Sequence, residues 1–214
     1  MTTRVPARAL ADKGLRERLR AVHFVAHRVR VIAVAGGTGE IDALSIRELE
    51  SVARVAAGAV QRRALLIATV PGNLGAALEL LPAYEQLGVE VVLALPPLIR
   101  GRVPTDLEGV AEYYEALGDA TRLPLMPYNT QRWPAETFER LARIPSIVGV
   151  KDPCEDDLPM FRAIQRLGGR FVWIGNKRHD RAWSISAIRW AWRASPPAWR
   201  TSYRSRSCAC TRQR

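Results

Sequence analysis

The sequence lacks the features of a membrane or secreted protein. No apolar run reaches the roughly 20 residues of a membrane-spanning helix, and no basic segment followed by an apolar one marks a signal peptide. The three cysteines, Cys154, Cys208 and Cys210, are too few for a disulfide framework. We therefore expect a cytoplasmic protein in a reducing compartment, with no membrane partner.

Residues that ligate metals are also scarce. The chain has three histidines, of which His23 and His27 are four residues apart and could share one helix face. No acidic ligand pattern accompanies them, and Cys208 and Cys210 lack the second cysteine pair of a zinc site. We predict no metal site, and interpret His23 and His27 as helix-surface or packing residues.

Acidic residues are missing from the end of the chain. Residues 181–214 contain eight arginines and no Asp or Glu, and residues 1–20 carry a net charge of +4. Because the total is +11, residues 21–180 carry only −1. A nucleic-acid partner would need a basic face on the folded domain, and we expect none. Composition thus predicts a basic N-terminal segment (1–20), a folded domain (21–180) and an atypical tail (181–214).

The tail differs from the rest in more than charge. It holds four of the six tryptophans and no glycine, and is rich in Arg, Ser, Pro and Cys. A poorly ordered basic tail and a shifted reading frame in a GC-rich gene would both produce such a segment, and the sequence leaves both open.

Between the two ends, apolar runs alternate with amphipathic stretches. The runs predict six strands, at Val29–Ala35, Ala64–Val70, Val89–Leu95, Leu123–Tyr128, Ile147–Lys151 and Phe171–Ile174. Apolar residues at helical spacing predict five helices, at Glu48–Val60, Leu74–Leu87, Leu107–Leu117, Ala135–Ala142 and Leu158–Leu167. Ser45 with Glu48, and Thr105 with Glu108, match capping boxes at two helix starts.

This alternation predicts an α/β protein with a parallel sheet. The first three strands are near-continuous apolar runs, as expected of strands buried on both faces. Two architectures fit: an open doubly wound sheet and a (β/α)8 barrel. A complete barrel takes about 250 residues, whereas six βα units are recognisable here, so a barrel would be incomplete.

Two neighbouring predicted strands end in reactive side chains. One ends in Tyr128-Asn129 and the next in Lys151-Asp152, twenty-three residues further on. Adjacent parallel strands lie about 4.8 Å apart, so Lys151 and Tyr128 can touch. Desolvation makes a lysine an amine nucleophile, and a phenol beside it can move protons. The pair predicts Schiff-base chemistry on a carbonyl substrate, although alone each is more often a packed tyrosine or a lysine reaching solvent.

A glycine-rich loop, Ala-Gly-Gly-Thr-Gly-Glu at Ala35–Glu40, follows the first predicted strand. Glycine lets backbone N–H groups approach an anion closely, and Thr38 adds a hydroxyl donor. The loop suits a carboxylate or a phosphate, and a plain strand-to-helix turn is an equally favoured interpretation. Its spacing matches neither the dinucleotide fingerprint nor the P-loop.

In this order, the motifs resemble the dihydrodipicolinate synthase / N-acetylneuraminate lyase superfamily. The resemblance extends from about residue 21 to residue 175 and rests on Gly36–Glu40, Pro96-Pro97, Tyr128-Asn129 and Val148–Asp152. It implies a class I aldolase-type (β/α)8 TIM barrel, a homotetramer in most members, that acts as a lyase without a cofactor. It also implies that Lys151 forms a Schiff base with a 2-oxo acid, that Tyr128 transfers the proton, and that Gly37 and Thr38 bind the substrate carboxylate.

Three departures narrow the expected substrate. True dihydrodipicolinate synthases carry Thr-Thr where this chain has Gly37-Thr38, and a tyrosine after the proline of the strand-four loop, where this chain has none. Their carboxylate-binding arginine lies five residues after the tyrosine, at the position of Trp133, with Arg132 one residue early. The loop and the Pro-Pro-Leu segment are more similar to 5-dehydro-4-deoxyglucarate dehydratases, so we expect a sugar acid as the substrate.

Both ends depart from the superfamily pattern as well. Residues 1–20 contain no recognisable first strand, and the Arg/Trp-rich tail stands where the last strand and helices are expected. An open barrel would leave two sheet edges unpaired and wet its apolar interior. The alternative to an active lyase is therefore a truncated, catalytically inactive barrel fragment with a non-specific basic tail.

Overall fold

A computed structural model describes residues 21–98, 106–153 and 158–175. The predicted segments 1–20 and 181–214 lie outside this range, as do all three cysteines, so the division of the chain at residues 20 and 180 stays a prediction. Among the described helices, none is both long and apolar enough to cross a membrane.

The described residues form six strands and five helices that alternate along the chain, after a helical segment at residues 21–26. The strands are β1 (Val31–Val34), β2 (Leu65–Val70), β3 (Val91–Ala94), β4 (Leu125–Pro127), β5 (Gly149–Asp152) and β6 (Val172–Gly175). The helices are α1 (Ile46–Val60), α2 (Leu74–Leu87), α3 (Leu107–Asp119), α4 (Ala135–Leu141) and α5 (Leu158–Leu167). Every predicted strand and helix is confirmed, with its ends within two residues of the predicted ones.

The strands follow one another in the sheet in the same order as in the chain. Parallel pairing joins β1 to β2, β2 to β3, β3 to β4, and β5 to β6. A doubly wound sheet would instead reverse its strand order at a switch point. The topology therefore selects the barrel, and the described elements form an incomplete (β/α) barrel.

The junction between β4 and β5 has fewer paired residues than the other strand junctions. It consists of two isolated parallel bridges, Leu125 with Ile147 and Tyr128 with Lys151, rather than a continuous ladder. We call this junction the seam. Two backbone hydrogen bonds close its lower end, from Leu125 N–H to the Ser146 carbonyl and from Val148 N–H to the Leu125 carbonyl.

Apolar residues fill two layers. The larger layer lies between the helices and the outer face of the sheet, where the side chains of α1, α2, α3 and α4 pack on alternate strand residues. A smaller inner layer consists of Ile67, Val91, Leu93 and Met126. Strand side chains alternate between the two faces, so Tyr128 and Lys151 share the inner face with this second layer.

A row of aromatic rings crosses the seam on its outer side. Neighbouring rings meet edge to face, with centroids between 5.4 and 6.1 Å apart. We call this the aromatic row, and its members in order are Tyr114, Trp133, Phe138, Trp173 and Phe171. The row connects α3 and α4 on one side with β6 on the other, because Phe138 meets Trp173 directly.

The prediction that β1 is buried on both faces is wrong. Ile32 and Val34 pack under the helices, but the inner-face residue Val31 is 49% exposed, and Ala33 is exposed too. Within the described residues β1 pairs with β2 alone, so its inner face opens to solvent. The other two strands predicted to be buried on both faces, β2 and β3, are buried as predicted.

Local sequence accounts for the helix starts. At α1, Ser45 and Glu48 form the predicted capping box, with both reciprocal bonds present. The second predicted box is wrong: α3 begins at Leu107, and the side chain of Asp106 accepts from Glu108 and Gly109 N–H. Thr105 itself lies outside the described residues. An aspartate caps a helix as well as a serine or threonine does, and the capping-box pattern does not include aspartate.

Gly149 in β5 is required by close packing. A Cβ atom at this position would lie 2.6 Å from the carbonyl oxygen of Val172 and 2.9 Å from the terminal methyl carbon of Met126. We predict that Gly149→Ala lowers the free energy of unfolding by about 1–3 kcal/mol, since overpacking forces the backbone to shift. Gly58→Ala is the control, because it adds a Cβ in open space on exposed α1 and should stabilise by up to about 1 kcal/mol. Urea unfolding of both variants measures the difference, and equal stabilities would contradict the assignment.

Candidate active site

The carboxyl ends of β4 and β5 bring the predicted pair together. Tyr128 and Lys151 form one of the two bridges of the seam, and the Lys151 Nζ lies 4.2 Å from the centroid of the Tyr128 ring. The Tyr128 N–H donates to the Ala94 carbonyl at 2.8 Å, which fixes the end of β4 against β3. The ammonium group and the ring face are thus in cation–π contact.

Burial changes the chemistry of the lysine. Lys151 is half-buried on the inner face of the sheet, and this desolvation lowers the pKa of its amine below the ordinary lysine value. Water stabilises an ammonium ion more than a neutral amine, so removing water favours the neutral form. A larger fraction of Lys151 is therefore available as a nucleophile at neutral pH.

The glycine-rich loop lies beside the tyrosine. After β1 the chain makes a tight 3-10 turn at Gly37–Gly39, and no side chain caps its N-terminal end. A Cβ atom placed on Gly37 would lie 3.7 Å from the Tyr128 hydroxyl oxygen. Gly37 and the Lys151 amine therefore both lie close to Tyr128, one at its hydroxyl and the other over its ring. Ala35 and Glu40 adopt left-handed backbone conformations on either side of the turn, with φ of 55° and 58°.

The residues that follow the reactive pair form a buried hydrogen-bond network. Asn129 Nδ2 donates to Asp152 Oδ2 at 3.0 Å, and Asn129 N–H donates to the Lys151 carbonyl at 2.8 Å. Both side chains are nearly inaccessible, at 1% and 4% exposure. The sequence motifs contain Asn129 and Asp152 but predict no role for them. In the sequence each is a polar residue directly after Tyr128 or Lys151, and its burial became evident only in the structure.

The loop after β4 also positions Trp133, the residue at the place of the superfamily's carboxylate-binding arginine. Trp133 is fully buried, and its indole N–H donates to Gln131 Oε1 at 3.1 Å. Gln131 Nε2 in turn donates to the Pro97 carbonyl at 2.8 Å. This position is thus part of the core, while Arg132 is exposed. The sequence did not reveal Gln131 as the link between the β3 and β4 loops.

Other candidate groups lie apart from this site. His23 and His27 stack on the helical segment with ring centroids 4.1 Å apart, and His27 Nδ1 bonds the His23 carbonyl. In the described parts of the chain, no three His, Cys, Asp or Glu side chains gather closely enough to hold a metal ion. A cavity of about 530 Å³ lies near the ends of α1 and α2, beside residues such as Leu66 and Glu90 at the opposite end of the strands from Lys151.

The burial of Lys151 makes its titration measurable. The chain has three lysines, Lys13, Lys151 and Lys177, so labelling of each amine with acetic anhydride can be followed separately by peptide mass spectrometry. A lowered pKa means that the amine is neutral, and so reactive, at lower pH. We predict that the midpoint of Lys151 labelling lies below that of Nα-acetyl-lysine amide in the same tube. A midpoint at or above this reference would contradict the desolvation of the amine.

Comparison with known proteins agrees with the resemblance that the sequence motifs predict. A sequence profile described as the Dihydrodipicolinate synthetase family matches residues 7–185. A probable 5-dehydro-4-deoxyglucarate dehydratase of Ralstonia nicotianae is 36% identical over 152 residues, which are 70% of this chain and 48% of that protein. A 4-hydroxy-tetrahydrodipicolinate synthase of Rickettsia typhi is 32% identical over 140 residues, 63% of this chain and 46% of that protein.

The fold agrees as well. Dihydrodipicolinate synthase from Acinetobacter baumannii, solved in complex with pyruvate, superposes with a TM-score of 0.67 at 29% identity, over 75% of this chain and 56% of that one. An N-acetylneuraminate lyase from Mycoplasma synoviae gives a TM-score of 0.65 at 23% identity, over 76% of this chain and 55% of that one. The chain spans about half the length of the curated relatives that it matches. In sequence, in strand order and in fold, it belongs to the dihydrodipicolinate synthetase family.

Proposed function

We propose that this chain carries the imine-forming site of a lyase or dehydratase that acts on a 2-oxo acid. The observation that carries the proposal is the contact of the half-buried Lys151 amine with the Tyr128 ring. A lysine with a lowered pKa is a nucleophile, and a phenol within reach of the same space can move the protons that imine formation requires.

Lys151 and Tyr128 together supply the nucleophile and every proton transfer that imine formation requires. The neutral Lys151 amine forms a C–N bond to the keto carbon, and the Tyr128 hydroxyl gives its proton to the carbonyl oxygen. The phenolate then takes a proton from the nitrogen and returns it to the new hydroxyl group, which leaves as water. The resulting iminium withdraws electrons from C3, whose proton the phenolate accepts. The enamine formed in this way can expel a C4 substituent or attack an electrophile.

The 3-10 turn after β1 would hold the substrate carboxylate. The first N–H groups of such a turn have no acceptor within it, and the N–H of Gly37 and the N–H and hydroxyl of Thr38 are the donors that we assign to the carboxylate. Anchoring this end would direct the adjacent keto carbon toward Lys151, which is how binding lowers the entropic barrier to attack.

A sugar acid is the substrate class that we favour. The relative from Ralstonia nicotianae is named as a probable dehydratase of 5-dehydro-4-deoxyglucarate, and the dihydrodipicolinate synthase from Acinetobacter baumannii was solved with pyruvate, itself a 2-oxo acid. The burial of Trp133 removes the carboxylate-binding position expected of a dihydrodipicolinate synthase. We therefore disfavour that activity.

One observation favours the alternative, an inactive barrel fragment. The inner face of β1 is open to solvent at Val31, and water that enters there would raise the pKa of the buried amine. The two possibilities differ in whether a folded sample forms an imine.

Borohydride trapping tests the proposal directly. We expect wild-type protein incubated with pyruvate and then reduced to gain one N-(1-carboxyethyl) group, mapped to Lys151 rather than to Lys13 or Lys177. Lys151→Ala should abolish the adduct, and Lys177→Ala is the matched control that should keep it. Circular dichroism melting establishes that each sample is folded. A folded wild type without an adduct, tested with pyruvate and with 2-oxo sugar acids, would favour the inactive fragment.

The role of the phenol is tested by a smaller change. Tyr128→Phe keeps the ring over the Lys151 amine but removes the hydroxyl, so we expect the trapping rate to fall roughly 100- to 10,000-fold, the usual contribution of a general acid–base group. The pKa of Lys151 should stay low because its burial is unchanged. A rate within about threefold of wild type would show that another group moves the proton.

A further inference from the structure

The catalytic pair straddles the weakest junction of the sheet. β1 to β4 form one continuous ladder and β5 with β6 form another, whereas the seam between them has only isolated bridges. Tyr128 lies on one side of the seam and Lys151 on the other. Their separation is therefore not fixed by a regular strand ladder, as it would be between β2 and β3.

Asn129 bonds across the seam beside the reactive pair. Its N–H donates to the Lys151 carbonyl and its Nδ2 donates to Asp152 Oδ2 at 3.0 Å. Its Oδ1 accepts from the N–H groups of Gln131 at 3.2 Å and Trp133 at 3.1 Å. The amide is thus held at both ends, by its own loop on the β4 side and by the carboxylate on the β5 side.

We propose that the Asn129–Asp152 hydrogen bond is a clamp that sets the approach of Tyr128 to Lys151, and that both of its members are positioning residues. The predicted effect of the clamp on catalysis rests on the proposed function. Its effect on the pKa of Lys151 can be measured without any substrate.

The clamp lies on the face of the sheet opposite the Lys151 amine. Consecutive residues in a strand face opposite sides of the sheet, so Asp152 in β5 faces away from Lys151, and Asn129 meets it there through the hydrogen bond between their side chains. A buried polar side chain that loses its partner must find water or move. We therefore expect that breaking this bond, one of the contacts that join the β4 loop to β5, loosens the seam and hydrates the Lys151 amine.

Two substitutions of Asp152 isolate the hydrogen bond from the charge. Asp152→Asn and Asp152→Ala both leave a neutral residue, but only asparagine offers an oxygen that accepts from Asn129 Nδ2. The readouts are the pH midpoint of Lys151 acetylation in full-length protein and the rate of pyruvate trapping. Tyr128 is the titratable group that faces Lys151 from β4, Ile174 lies at the paired position of β6, and Asp152 is on the opposite face of β5.

We expect Asp152→Asn to keep a low labelling midpoint. We expect Asp152→Ala to raise the midpoint toward that of Nα-acetyl-lysine amide and to slow trapping roughly 10- to 100-fold, since small displacements of reacting groups have effects of this size. Unfolded chains would label with the midpoint of Nα-acetyl-lysine amide because their Lys151 is fully hydrated, so midpoints are compared only between samples that circular dichroism melting shows to be folded. Equal midpoints in the two folded variants would overturn the clamp.

A swapped pair keeps the test decisive if Asp152→Ala fails to fold. Asn129→Asp sets two carboxylates against each other, while the double variant Asn129→Asp with Asp152→Asn restores one donor and one acceptor at wild-type charge. We expect the double variant to recover the low midpoint that the single variant loses, and a midpoint as high as that of the single variant would overturn the clamp. A low Lys151 midpoint in wild type without any trapped adduct would instead contradict only the proposed function.

Discussion

The partial burial of one amine is the constraint on which the site depends. For the imine chemistry proposed above, Lys151 must lose enough water to shed its proton, yet its Nζ must remain within reach of a substrate. A strand tip on the inner face of a barrel meets both demands, because the side chain rises from an apolar layer toward the open end. Gly149, two residues earlier on the same face, allows β6 to approach, and this approach closes the apolar layer beneath the amine. The order of the strands along the chain is what sets the phenol of β4 next to it.

Most of the fold could be predicted from sequence because its elements depend on local patterns. The β-branched runs and the helical spacing of apolar residues gave boundaries within two residues, as at Leu74–Leu87. The pattern could not distinguish a barrel from a doubly wound sheet, since both use the same strand and helix periods. It also fails at β1, where an apolar run predicts burial on both faces but Val31 is exposed. Burial of Val31 depends on which strand lies beside it, and a single strand's sequence does not contain that information.

The parts of the site that depend on the type of a single residue could be predicted from the sequence. The parts that depend on contacts between distant residues could not. A lysine and a tyrosine ending successive apolar runs were enough to predict their contact. The bond from Asn129 to Asp152 spans twenty-three residues and the bond from Gln131 to Pro97 spans thirty-four. Amides and carboxylates usually face solvent, so nothing local distinguishes these from ordinary surface residues. Trp133 is the converse case. The superfamily pattern predicts a polar residue at this position, whereas the Trp133 indole is buried in the core.

The aromatic row links the stability of the protein to the reactivity of its lysine. Edge-to-face pairs contribute about 0.5–1.5 kcal/mol each beyond the area that they bury, and the contact between Phe138 and Trp173 bridges the seam from outside. Local opening of β5 and β6, of the kind that hydrogen exchange detects, must separate these two rings before the strands part. Each such opening would hydrate the Lys151 amine and so favour its protonated form. On the proposed mechanism, the fraction of time that the lysine spends as a neutral amine would depend partly on rings that lie on the outer face of the sheet. Substitutions that loosen the core would then slow imine formation before they unfold the chain.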